Sequence, residues 1–205
     1  MTIDSLDPSV ARLADAVRAF RPQAILFDLD GTLVDSTEAN FRALCSAWAE
    51  QGARLESDWY AQKTGLSVSA LASAWQAEFG TPIDPALATA GFVRASVAEA
   101  PGARLFADTW ALLQRVRQPV GLVTNNFRPI VEALLASALA PARFRTVVTA
   151  DTPGLRPKPA PDLYARAVAD LGLPAADCLA IEDSNEGLTA ARAAGLRALD
   201  VRLTR

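Results

Sequence analysis

The stretch ILFDLDGTLVDS, residues Ile25–Ser36, decides the fold that we predict for this 205-residue chain. An apolar run leads into two aspartates, Asp28 and Asp30, and then into Gly31. Residues i and i+2 of a strand project to the same side, so both carboxylates face one site at the end of a buried strand. A strand-end aspartate that caps a turn would explain one acid but not both. Close carboxylates need a cation, and an all-oxygen ligand set favours Mg²⁺.

The rest of the chain alternates between apolar runs and segments of helical period. This pattern predicts right-handed crossovers and an α/β fold with a doubly wound, Rossmann-like parallel sheet. The predicted strands are AILFD (24–28), VGLVT (120–124), RTVVTA (145–150), CLAIED (178–183) and, more weakly, LRALDV (196–201). The predicted helices are 129–139, 161–171 with Gly172 as C-cap, and 185–194 before Gly195.

Residues 37–104 break that rhythm, because they contain helical segments and no convincing strand. Asp84 and Pro85 begin one of these helices as N-cap and first helical residue. We therefore predict a core domain of residues 1–36 and 105–205 and a helical cap domain of residues 37–104. The alternative is that these are ordinary helices of the α/β core. The hinge candidates are Asp35–Glu38 and Pro101–Leu105.

The composition excludes several classes of function. The chain has no histidine, which excludes Ser-His-Asp and Cys-His catalysis and a His-ligated zinc site. A net charge of −3 argues against a nucleic-acid partner, and no apolar run is long enough to span a membrane. Two cysteines without metal spacing and a helical N-terminus that makes a poor secretion signal indicate a cytoplasmic protein. We make no prediction of oligomeric state.

Polar residues follow the other predicted strands as well. Thr124, Asn125 and Asn126 follow the second strand and are small donors for phosphate oxygens, although such a turn is often only a helix cap. Lys158 lies between two prolines that stiffen the backbone. A lone lysine is usually a solvated surface residue, but a lysine in such a loop is also a candidate for a fixed positive charge.

Glu182 and Asp183 end a further apolar run and precede a helix. Acids at a helix N-terminus are favoured by the macrodipole alone. Four polar clusters at the ends of successive strands nevertheless indicate one shared site, because parallel α/β sheets bind ligands at that edge.

The motifs DLDGTLVDS, VTNN, RPKPAPD and IEDSNEG, in this order, resemble the four signatures of the haloacid dehalogenase (HAD) superfamily. The resemblance spans residues 24–195. The helical insert is similar to the C1 cap of that family, and the nearest branch contains phosphoglycolate phosphatases and β-phosphoglucomutases.

The resemblance implies a role for each matching residue. Asp28 would be the nucleophile that forms an aspartyl-phosphate. Asp30 would protonate the leaving oxygen and then activate water. Thr124 and Lys158, with Asn125, would bind the transferring phosphoryl group and offset its charge.

The resemblance also implies a Mg²⁺ site. Asp183 would bind the ion together with Asp28 and the backbone carbonyl of Asp30, and Glu182 would assist directly or through water. An aspartate at position 30 favours phosphoester chemistry, because dehalogenases and P-type ATPases lack it.

The first hypothesis is a Mg²⁺-dependent phosphatase that acts on a small phosphorylated metabolite. A β-phosphoglucomutase-like enzyme is the alternative, but Asn40 and Val68 stand where that branch has histidine and arginine. A receiver-type signalling domain is a third interpretation, and it would lack the helical insert.

The substrate is left open by the sequence, among phosphoglycolate, a sugar phosphate and a nucleotide monophosphate. Four residues of the insert are candidates to face it, although Trp and Leu there are more often cap core. They are Trp59, Lys63, Ser67 and Arg94.

Overall fold

A five-stranded parallel sheet lies at the centre of the protein, as predicted. The computed structural model describes residues 8–63, 65–139 and 143–205. Its strands are β1 (Ala24–Phe27), β2 (Val34–Asp35), β3 (Arg104–Leu105), β4 (Val120–Val123), β5 (Phe144–Val148), β6 (Cys178–Glu182) and β7 (Arg197–Asp200). The order in the sheet is β5-β4-β1-β6-β7, and all four pairings are parallel. The motif that contains Asp28 and Asp30 therefore follows the central strand.

The described helices lie on both faces of this sheet and in the segment between β2 and β3. They are α1 (Pro8–Phe20), α2 (Thr37–Ala49), α3 (Ser57–Ala61), α4 (Val68–Phe79), α5 (Pro85–Glu99), α6 (Ala107–Arg115), α7 (Arg128–Ala136), α8 (Asp162–Leu171) and α9 (Asn185–Ala193). Side chains of β1 alternate between the faces. Ile25 and Phe27 pack with α1, α6 and α7, whereas Ala24 and Leu26 pack with α8 and α9. This burial on both faces explains the uninterrupted apolar run in β1.

The predicted helices of the sheet are confirmed, with one early ending. Gly172, at φ +66°, ends α8 as expected, and α9 stops before Gly195. Helix α7 ends at Ala136 and not at Leu139, although the Leu139 amide still donates to the carbonyl of Leu134. None of the described helices is long and apolar enough to cross a membrane.

Helices α2 to α5, residues 37–99, lie between two short strands, and we call them the helical segment. Strands β2 and β3 pair antiparallel, with Val34 opposite Leu105 and Asp35 opposite Arg104. The prediction of no strand within 37–104 is therefore wrong at Arg104, because two residues are too few to give a strand pattern. This ribbon overlaps both predicted hinge segments. The division into a core domain and a cap domain at residues 37 and 104 stays a prediction. Residues 1–7 of the predicted core domain lie outside the described residues.

The N-terminus of α5 provides a test of the fold. The Asp84 carboxylate accepts hydrogen bonds from the amides of Ala86 (2.8 Å) and Leu87 (3.2 Å). We expect Asp84→Ala to lower the free energy of unfolding by about 1 kcal/mol, because these amides lose their acceptor. Asp84→Asn keeps an acceptor and should retain most of the stability in urea unfolding. Equal losses in both variants would contradict the capping role.

Candidate active site

The carboxyl ends of β1, β4 and β6 bring the predicted polar residues to one edge of the sheet. Phe27, the last residue of β1, is in register with Leu122 of β4 and Ile181 of β6. Asp28 follows directly, and its amide donates to the carbonyl of Ile181. Thr124 and Asp183 follow the two neighbouring strands, so three distant parts of the sequence reach the same edge of the sheet.

Lys158 is the buried centre of this edge, with its side chain only 3% exposed. Its ammonium group donates to Asp28 Oδ1 (2.6 Å), to Glu182 Oε1 (2.5 Å) and to the carbonyl oxygen of Val123 (2.8 Å). These three acceptors use all three N–H bonds of the ammonium group. The fixed positive charge predicted for the Pro-rich loop is therefore present, inside the protein and between two acids.

The charges around Lys158 do not balance. Burial would lower the pKa of Lys158, but the carboxylates of Asp28 and Glu182 outweigh it and raise that pKa. Burial raises the pKa of Asp28 well above its usual range, and the charges of Glu182 and Asp30 add to this while Lys158 opposes it. Burial and Glu182 also raise the pKa of Asp183. Several acids share one cation, so the site favours a second cation.

The loop that carries Lys158 is closed by two sets of hydrogen bonds. The Asn125 side chain accepts from the Lys158 amide (2.8 Å) and donates to the Lys158 carbonyl (3.0 Å). Arg156 contacts both oxygens of Asp162, which holds the pKa of Asp162 at about 2. The Asn125 side chain thus positions Lys158, which sequence reasoning missed, and the predicted contact of Asn125 with substrate stays a prediction.

Asp30 is oriented by the Thr-Asn-Asn turn. Asn126 Nδ2 donates to Asp30 Oδ2 (3.1 Å), and the Asn126 amide donates to Thr124 Oγ1 (3.0 Å). Thr124 is buried, and its hydroxyl keeps its own proton for donation to a ligand. The turn therefore orients the side chain of Asp30 and also carries Thr124, whose contact with phosphate stays a prediction.

Glu182 is completely buried, and its partners were missed by sequence reasoning. Its Oε1 accepts from the hydroxyl of Tyr164 (2.7 Å) in addition to Lys158, and its Oε2 accepts from Ser184 Oγ (3.2 Å). Burial and the charge of Glu182 raise the pKa of Tyr164 further above its usual value, so the phenol stays a donor. Gly187 leaves room for this carboxylate, since a Cβ there would lie 2.0 Å from it.

Three carboxylates converge as a metal site requires. Asp28, Glu182 and Asp183 each offer one oxygen, and these oxygens lie within 4.8 Å of one another. Hard oxygen donors fit Mg²⁺, and a set of three leaves coordination positions for water and phosphate. The Asp30 side chain is turned toward Asn126, so its predicted part in the metal site is left to its backbone carbonyl.

The residues of the helical segment that we singled out are engaged within that segment. Trp59 Nε1 donates to Glu78 (2.8 Å), and Lys63 pairs with the same carboxylate (3.2 Å). Arg94 forms an exposed ion pair with Glu50, and Ser67 caps α4 through the amide of Ala70. These contacts favour a structural role for all four.

A cavity of about 410 Å³ opens beside Asp30, between the helical segment and α7. Asn126 lines it from the core, and α2 and α5 contribute its other walls. Tyr60 of α3 is stacked on Phe41, and its pKa is raised by burial and by the charge of Asp30. The helical segment therefore places a polar side chain, that of Tyr60, near Asp30.

Comparison with known proteins agrees with this geometry. Residues 22–195 match the haloacid dehalogenase-like hydrolases. The plasmid-encoded CbbY of Cupriavidus necator is 34% identical over 199 residues, covering 85% of this chain and 76% of that protein. Fructose-1-phosphate phosphatase YqaB of Escherichia coli is 30% identical over 189 residues, covering 89% and 98%. CbbY of Rhodobacter sphaeroides in complex with phosphate superimposes with TM-score 0.76, at 28% identity and over 86% and 84% of the two chains.

The fold and the cluster of acids around a buried lysine define a Rossmann-like hydrolase of phosphate esters. The chain belongs to the haloacid dehalogenase-like hydrolases and is a phosphoric monoester hydrolase of that family.

Gly31 gives a test of the site geometry. A Cβ on Gly31 would lie 1.9 Å from Asp183 Oδ2, and the φ of Gly31 is +78°. We expect Gly31→Ala to lower kcat by at least about a hundredfold, because Asp183 or the turn must move. Gly52→Ala is the matched control, since Gly52 has φ +76° and open space around it. It should cost about 1 kcal/mol of stability and leave kcat unchanged. Similar kcat values in both variants would contradict the packing argument.

Proposed function

We propose that this protein is a Mg²⁺-dependent phosphatase that hydrolyses a small phosphomonoester through an aspartyl-phosphate on Asp28. The observation that carries the proposal is the ammonium group of Lys158, which is held between the carboxylates of Asp28 and Glu182 at the carboxyl ends of the strands. Lys158 fixes the orientation of the Asp28 carboxylate and places positive charge where negative charge develops in phosphoryl transfer.

In the first half-reaction a carboxylate oxygen of Asp28 attacks phosphorus, and the bond to the leaving oxygen breaks. Asp30 gives its proton to that oxygen. Asn126 holds one oxygen of Asp30 and leaves the other to face the leaving group. Thr124 donates its hydroxyl to the transferring group.

In the second half-reaction Asp30, now a carboxylate, takes a proton from water, and the water oxygen attacks phosphorus. The bond between phosphorus and Asp28 breaks, which releases inorganic phosphate and restores the carboxylate. Asp30 thus serves as acid and base in turn without moving from Asn126.

Asp28, Asp183 and the carbonyl of Asp30 would hold Mg²⁺, with Glu182 acting through water because its oxygens already accept three hydrogen bonds. The ion supplies charge neutralisation that lets a carboxylate approach an anionic phosphate. The surplus of acids at the strand ends supports this part of the proposal.

The cavity beside Asp30 supports a neutral, hydroxylated leaving group. Arg42 lines it but is held by Glu38 (2.6 Å) and Glu99 (2.7 Å), so its charge is already matched. Asp35 adds a further acid to the lining. Arg104 also lines the cavity, but four acids of the lining, Asp30, Asp35, Glu38 and Glu99, outnumber its two arginines. An anionic leaving group would therefore meet net repulsion here, whereas sugar hydroxyls find acceptors. The name of the fructose-1-phosphate phosphatase YqaB supports the same class of phosphorylated sugar.

The reaction itself is tested by Asp28→Asn. We expect the purified protein to hydrolyse p-nitrophenyl phosphate with Mg²⁺ and to stop when EDTA removes the metal. Asp28→Asn should lower turnover by at least about a thousandfold, because an amide is a poor nucleophile. Asp15→Asn, on the exposed face of α1, is the matched control and should retain activity. Acid quenching followed by peptide mass spectrometry should locate the phosphoryl group on Asp28.

Retained activity in Asp28→Asn, or in EDTA, would contradict the proposal. Isomerisation of a sugar phosphate without release of inorganic phosphate would favour the mutase instead. A stable phosphoprotein without turnover would favour a receiver-type protein.

The leaving-group preference is tested by comparing fructose 1-phosphate with phosphoglycolate. We expect kcat/KM to be at least about tenfold higher for fructose 1-phosphate, because the glycolate carboxylate faces the acidic lining of the cavity. Glu99→Gln removes one of the two acids that pair with Arg42, so the ratio of the two kcat/KM values should move closer to one. Glu50→Gln, which breaks the exposed pair with Arg94, is the matched control and should leave the ratio unchanged. A preference for phosphoglycolate would contradict this assignment.

A further inference from the structure

Arg205 contacts both chain segments that connect the sheet to the helical segment. Its Nη1 donates to the carbonyl of Gly31 (2.7 Å), and its Nη2 donates to the carbonyl of Thr32 (3.0 Å). Its Nε donates to Asp108 Oδ2 (3.0 Å), and its guanidinium lies 3.7 Å from the ring centre of Phe106. Gly31 and Thr32 lead into β2, whereas Phe106 and Asp108 follow β3. We call these contacts the Arg205 clamp.

The chemistry of the clamp depends on a guanidinium group. Its planar fork of donors reaches two carbonyls and a carboxylate together, which a lysine ammonium on a flexible stem does not match. Asp108 is only 5% exposed and needs a counter-charge. Thr109, next along α6, donates its hydroxyl to the carbonyl of Thr32 (2.5 Å). The turn after the nucleophile is therefore fastened to the first turn of α6 from two directions.

The clamped turn is part of the active site. Gly31 directly follows Asp30, and the space above its Cα is filled by the Asp183 carboxylate. The Gly31 amide donates to the carbonyl of Val34 (2.8 Å), and the Phe106 amide donates to the carbonyl of Leu33 (3.0 Å). A shift of this turn would move Asp30 and the start of the β2–β3 ribbon. It would also move Gly31, against which the Asp183 carboxylate packs.

We infer that Arg205 is a positioning residue, which holds the Gly31–Thr32 turn and the start of α6 as one rigid base beneath Asp30 and the β2–β3 ribbon. The kinetic part of this inference rests on the proposed function. Neighbouring Arg202 makes no such contact, since it pairs with Asp200 and Asn185.

The experiment compares Arg205→Ala and Arg205→Lys with the wild type by amide hydrogen exchange. We expect exchange of the Gly31, Val34 and Phe106 amides to be at least about tenfold faster in Arg205→Ala. The Asp28 amide, bonded to Ile181 in the central sheet, should exchange as in the wild type. Arg205→Lys guards against failure to fold, and it should give an intermediate effect because a lysine cannot make all the contacts at once.

Kinetics and metal binding separate positioning from general stability. We expect kcat of Arg205→Ala to fall about tenfold with KM within about twofold, because Thr124 and Lys158 lie on other loops. Binding of Mg²⁺ by calorimetry should weaken at least about threefold, since Asp183 packs on the clamped turn. Arg166→Ala, which breaks an exposed pair with Asp170 on α8, is the matched control and should change none of these quantities.

Unchanged exchange, or faster exchange that includes the Asp28 amide equally, would overturn the inference. Faster exchange confined to the Gly31, Val34 and Phe106 amides, with kcat and Mg²⁺ binding as in the wild type, would also overturn it. If the wild type hydrolyses no ester, the proposed function fails alone, because exchange and calorimetry still decide whether the clamp holds the turn.

Discussion

The burial of one lysine between two carboxylates is the interaction on which the site depends. A buried ion pair contributes little net stability, but removal of one partner leaves an uncompensated charge in the interior. Lys158 therefore ties the orientation of Asp28 to that of Glu182, across two neighbouring strands. The two hydrogen bonds between the Asn125 side chain and the Lys158 backbone, together with the Arg156–Asp162 ion pair, then hold the loop from which this lysine projects.

The parallel sheet makes this arrangement accessible to a substrate. Because β1, β4 and β6 run in the same direction, their last residues open at one edge, where side chains leave the packed interior together. Burial raises the pKa of Asp28 and of Asp183 at this edge. Burial makes the charged form of these acids less favourable, and a divalent cation beside them would offset that cost.

Part of the signal that singled out the candidate site residues in the sequence is local. Asp28 and Asp30 interrupt an apolar run, and Lys158 stands between prolines. The order of the four motifs along the chain, which resembles that of the haloacid dehalogenase superfamily, then joined these residues into one predicted site. Tyr164 and Arg205 carry no such signal, since a tyrosine in a helix and a surface-type arginine are ordinary. The partner of Tyr164 lies 18 residues away, and the hydrogen-bond partners of Arg205 lie 97 to 174 residues away. The two-residue strands of the ribbon were missed because strand periodicity needs a longer run.

The apolar core does not stop at the ribbon that joins the helical segment to the sheet. One cluster of buried side chains runs from Phe27 under the active site through Leu33 and Trp48 to Trp75 in the helical segment. Every 100 Å² of apolar surface that an opening motion exposes costs about 2.5 kcal/mol. Large opening motions of the helical segment are therefore unfavourable. Because this penalty becomes smaller on cooling, we expect a larger fraction of open conformations at low temperature.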